Sequence, residues 1–238
     1  MYSYPYIHFS GGEGVQSKNR ISWWIPVIGF LLLLAAVAAV LLLMPPEEAA
    51  DPSPPGNSGT LALKCLQFSS YTGQFVEDGT DEPVAGVAAM LVTNPTAQFL
   101  DLAKVTYKVG DTTATFEITG LPPGGTAWVL EKNRLRLKEG WKFELDSCTD
   151  TFRSNTIRQT DLLKVEPDGD SLTVTNVSGG EVKNVCLYYK VKHSDGNYLG
   201  GITYMLDFGT LAPGASATKR STHFGSNAEI VRYSYQTG

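Results

Sequence analysis

The sequence predicts an all-β protein: two tandem antiparallel β-sandwiches preceded by one transmembrane α-helix. Three observations carry the prediction. Ile21 to Met44 is an unbroken apolar run. From Thr60 onward, short β-branched and aromatic runs alternate with Gly, Pro, Asn and Asp turns, and no helical period emerges. Those runs fall into two sets that repeat in order.

Residues 1–20 hold Tyr, Pro and Gly without a period and read as a disordered cytoplasmic tail. Its Gly11-Gly12-Glu13-Gly14 run lacks the frame of a phosphate loop and reads as spacer. Ile21–Met44 is 24 residues without charge, Ser22 being its only side-chain hydroxyl. Roughly 20 apolar residues cross a hydrocarbon core of about 30 Å. Lys18 and Arg20 precede the run, and Glu47, Glu48 and Asp51 follow it. Basic residues stay on the cytoplasmic side, so the N-terminus is expected inside and residues 45–238 outside. Trp23 and Trp24 suit the inner interface, and Pro26 suits a first helical turn. A cleaved signal would have a shorter core followed by small residues, whereas Pro45-Pro46-Glu47-Glu48 follows here; either way the same domain is exported. Residues 45–59 are a Pro-rich stalk, stiffened toward an extended spacer.

The expected strands of the first set are Leu61–Phe68, Gly86–Val92, Leu100–Val109, Thr113–Ile118, Ala127–Lys132 and Trp141–Ser147. The second set is Leu162–Val165, Ser171–Thr175, Val182–His193, Ile202–Phe208, Ala215–Ser221 and Ala228–Tyr235. Asn94, Tyr107 and Val109 stand 82 residues before Asn176, Tyr189 and Val191. Leu121-Pro122-Pro123-Gly124 returns as Leu211-Ala212-Pro213-Gly214 at an offset of 90, and the extra residues are placed in the hairpin at His193–Asn197. Each Asn can cap its turn, and each Pro-Gly can close the next one. The repeat divides the chain into sandwiches over 60–158 and 160–238, with a boundary between Phe152 and Asp161.

The second half carries Asn176-Val177-Ser178, then Val185 to Val191, then Asp195-Gly196, then Leu211-Ala212-Pro213-Gly214. In this order of motifs it resembles the FxLYD family of small exported bacterial sandwich domains. The first half fits more loosely, with Gly110-Asp111 in its hairpin and an acidic loop before Val84. The resemblance implies immunoglobulin-like modules on a bacterial cell surface and carries over no catalytic residue.

Charge narrows the partners. The chain carries −5, and residues 45–238 carry −6, because the first 44 hold only Glu13 against Lys18 and Arg20. That argues against nucleic acid and against a surface lying on anionic lipid. Of three cysteines, Cys65 and Cys148 can pair across one sandwich, leaving Cys186 alone; all three are equally readable as small buried apolar residues. Glu77, Asp78, Asp81 and Glu82 put four carboxylates in one loop, either a solvated acidic turn or hard oxygen ligands for Ca²⁺. Tyr188, Trp128 and Trp141 are the aromatics that can face outward, toward a sugar ring or a protein partner, or else pack in the core. His8, His193 and His223 share no metal-binding spacing, and His193-Ser194-Asp195 lies along one strand end, where neighbours point to opposite faces. No nucleophile motif and no cofactor motif is found. The sequence therefore leads to a single-pass envelope protein that binds or scaffolds. A carbohydrate-binding module and an exported wall-polymer hydrolase are the alternatives.

Overall fold

A computed structural model describes residues 61–238, which lie in one compact unit. The tail, the Ile21–Met44 anchor and the 45–59 stalk expected from the sequence lie outside the described residues. Among the described residues no helix is long and apolar enough to cross a membrane.

The described chain is all-β. Its strands are β1 (Lys64–Phe75), β2 (Glu82–Thr93), β3 (Phe99–Val109), β4 (Thr112–Leu121), β5 (Thr126–Leu130) and β6 (Glu144–Arg153). The second set is β7 (Leu163–Asp168), β8 (Ser171–Asn176), β9 (Val182–Lys192), β10 (Tyr198–Leu211), β11 (Ser216–Arg220) and β12 (Ala228–Thr237). Each overlaps one expected strand. The largest boundary differences are at the ends of β1 and β6. The polar run Ser69–Gln74 stays in the ladder because it pairs with β2 as far as Glu82.

Both halves use the same pairing. β2 lies between β1 and β5 as β8 lies between β7 and β11; β3 lies between β4 and β6 as β9 lies between β10 and β12. Alternation drives each half closed. In β4, Ala114, Phe116 and Ile118 are fully buried, and they meet Met90 and Val92 of β2 in one core cluster. The second core gathers Leu172 and Val174 of β8 with Val185 and Leu187 of β9. Burying such a side chain contributes about 1.5–3 kcal/mol.

The repeat reaches individual hydrogen bonds. The buried Asn94 amide donates to Gln98 O at 2.8 Å and Leu121 O at 3.0 Å, while its Oδ1 accepts from Thr96 N and Oγ1. The buried Asn176 amide donates to Gly180 O and Leu211 O, both at 2.8 Å, while its Oδ1 accepts from Ser178 N and Oγ. The Gly124 amide closes on Asn94 O at 2.8 Å, and the Gly214 amide on Asn176 O at 2.9 Å. A residue that caps with its own short amide satisfies a turn that the ladder cannot.

One expectation is overturned. The halves are not two separate stacks of strands. One mixed sheet of six strands, β1-β2-β5-β10-β9-β12, runs through both. Its joint is a parallel contact in which Tyr198 faces Ala127 and Leu199 faces Trp128. The cause lies in β10. Between Leu199 and Tyr204 its register with β9 breaks, and the chain bulges at Gly200–Thr203. The extra residues of the second half are thus shared between the 193–197 loop and this bulge. Gly201 makes the approach possible: a Cβ there would lie 1.7 Å from Glu117 O of β4.

Candidate functional site

The seam between the halves holds a pair of opposite charges taken out of water. Lys190 is fully buried on β9, opposite the bulge. Its ammonium donates to Ile202 O at 2.6 Å, Thr119 O at 3.1 Å and Gly201 O at 3.2 Å, with Thr203 Oγ1 at 3.4 Å. Glu77, just past β1, reaches in from the other side. Its carboxylate accepts from Leu130 N at 2.7 Å and Gly201 N at 2.9 Å. Gly201 therefore offers its N–H to the acid and its carbonyl to the base. Burial pushes the Glu77 carboxyl up and the Lys190 ammonium down, and each opposes the other's shift. Three backbone acceptors around Nζ and backbone donors around the carboxylate fit the ionised pair. The sequence hid Lys190 because it stands between the inward Tyr189 and Val191 and reads as solvent-facing. Its clue was the Gly200-Gly201 pair nearby, which weakens a strand unless something approaches closely.

The acidic loop does not gather into a calcium site. Its four carboxylates turn to three different tasks. Glu77 goes to the seam. Asp78 Oδ2 and Glu82 Oε2 each take one nitrogen of Arg134 at 2.7 Å. Asp81 Oδ2 meets His223 Nε2 at 3.0 Å, tying the loop to the second half. Among the described residues, no group of three or more His, Cys, Asp or Glu side chains could hold a metal ion. Hydrogen bonds from Thr80, then Arg134, hold Asp78 at about 2. Arg134 also lies over the Phe75 ring at 4.6 Å.

The histidines split. His223 stacks on Tyr204 at 4.5 Å, and Thr222 Oγ1 lies 3.4 Å from its Nδ1. That hydroxyl belongs to the adjacent residue and stands at the long limit of a hydrogen bond, so the Asp81–His223 pair works as a tie and is poorly placed to activate it. His193 Nδ1 stands 3.2 Å from Asp195 Oδ1 in the hairpin. The other oxygen of Asp195 accepts from Trp128 Nε1 at 2.8 Å, and that bond leads the causes holding the Asp195 carboxyl below its usual range.

The three expected surface aromatics are thereby separated. Trp128 is half-buried at the seam. Tyr188 packs against the first core, with the Arg232 guanidinium 3.8 Å over its ring. The second half lies against one and Arg232 against the other. Trp141 is half-buried too and packs against the first core. It lines a cleft of about 380 Å³ with Lys108, Gly110, Gly140, Lys142 and Glu144.

The expected Cys65–Cys148 bridge is absent: all three cysteines are free thiols. Cys65 is hydrogen-bonded to the Tyr107 hydroxyl, and burial raises its pKa, which favours the protonated thiol. Burial raises Cys186 as well.

Neither a scan of family models nor a search of curated proteins returns a match to this chain.

Proposed function

We propose that this chain is a membrane-anchored extracytoplasmic protein of the bacterial envelope, in which two FxLYD-like, immunoglobulin-like sandwich modules form one display unit for binding or scaffolding. The continuous six-stranded sheet carries the reading, because a seam locked by Lys190 and Glu77 holds both modules' surfaces in one fixed relation. The charge-free Ile21–Met44 run, with Lys18 and Arg20 before it and Glu47 and Glu48 after it, supports the orientation. The test is protease shaving of intact cells that lack an outer barrier. Residues 45–238 are released and a small membrane fragment remains; full protection of the C-terminal part overturns the reading. Cross-linking in the same cells identifies the envelope partner. The Trp141 cleft favours a second reading, a carbohydrate-binding surface module.

A further inference from the structure

From the make-up of the Trp141 cleft, we infer that it is a binding site for one or two rings of a neutral saccharide. The inference rests on the carbohydrate reading above and names its site. The cleft lies where the β3–β4 turn meets the segment leading into β6. Two glycines flank the indole, Gly110 and Gly140, and a Cβ at either would meet nothing within 4 Å. Missing side chains at these two positions keep the cleft open. Trp141 and Phe143 both pack against the first core. Phe143 stacks on Phe68 at 3.8 Å and meets Tyr107 edge-on at 6.0 Å, and the Trp141 amide closes a turn on Lys138 O at 3.3 Å.

The rim decides the ligand class. Lys108 is drawn to Asp146 at 3.0 Å. Lys142 and Glu144 have no ion-pair partner among the described residues, so one donor and one acceptor stand free in the cleft. Paired signs give no preference for a polyanion such as nucleic acid. A polar rim disfavours an apolar ligand. A pyranose presents hydroxyls to such a rim and a C–H face to an aromatic. The volume sits at the lower end of the ligand-pocket range of about 300–1,000 Å³. Lys138 Nζ stands 5.3 Å from the ring centroid, and its exposed stem is free to swing aside when a sugar docks.

The test is calorimetry on the full chain in lipid nanodiscs, because sugar-headed detergents would compete. The probes are cellotriose, chitotriose and β-1,4-galactotriose. At least one binds saturably, and Trp141→Ala weakens it at least tenfold. Lys142→Ala and Glu144→Gln each weaken it about threefold, and Trp128→Phe leaves it unchanged. Trp141→Phe, which keeps an aromatic face, retains part of the affinity and guards against loss of fold. No saturable binding by any of the three probes, or equal binding by wild type and Trp141→Ala, overturns the inference. The shaving experiment reads the display function independently, so the two can fail separately.

Discussion

Replacing Lys190 with Met strips the seam of its only buried cation while keeping most of the side-chain volume. Glu77 is then left against Leu130 N and Gly201 N with no opposing charge, and the carbonyls of Thr119, Gly201 and Ile202 lose a common donor. Removing one partner of a buried charge pair costs about 3–5 kcal/mol. In a domain of this size each kcal/mol shifts the melting temperature by about 2–4 °C, so the expected drop is about 6–20 °C. Glu77→Gln should cost a similar amount by leaving Lys190 alone. The double variant should cost at least about 1 kcal/mol less than the two single costs together, because neither charge is then left alone. The pH dependence separates the two. In Lys190→Met, the raised Glu77 carboxyl favours the fold most below its ordinary 4.5, and that contribution is lost as pH rises through its folded value. In Glu77→Gln, the lowered Lys190 favours the fold most above its ordinary 10.5, and that contribution is lost as pH falls through its folded value. Urea unfolding of the full chain across pH 5 to 9, followed by intrinsic fluorescence, reads both trends. Strictly additive costs, or slopes of the same sign in the two single variants, would refute the seam as a charge lock.

Asn94→Ala and Asn176→Ala each remove an amide that serves four hydrogen bonds in a buried turn, and each should cost about 2–3 kcal/mol in the same urea series. A cost confined to one of them would argue against equivalent halves. Gly201→Ala places a Cβ 1.7 Å from Glu117 O and must push β10 off β4; hydrogen exchange should then speed at Lys190 and Leu199 while the Asn176 turn stays protected.

Sequence alone determined much of this protein, because the relevant physics is local. Strand alternation, Asn caps and Pro-Gly turns act within a few residues, so twelve strands and their twofold repeat could be read from residue types. Tyr189 and Val191 announced an inward face by period. The site residues were less legible. Glu77, Asp78, Asp81 and Glu82 looked like one ligand set because they adjoin in sequence. Tertiary structure sends them to Gly201, Arg134 and His223, partners 52 to 142 positions away. Trp128, Tyr188 and Trp141 looked alike as half-exposed aromatics, and only the joining of β5 to β10, the placing of Arg232 and the cleft beside Lys142 and Glu144 told them apart. The single sheet itself was decided at Gly201, where the missing Cβ admits Glu117 O. A period of two tells which way a side chain points within its own strand. It does not say what arrives from the other half of the molecule, and that arrival turned Lys190 from a surface residue into a buried lock.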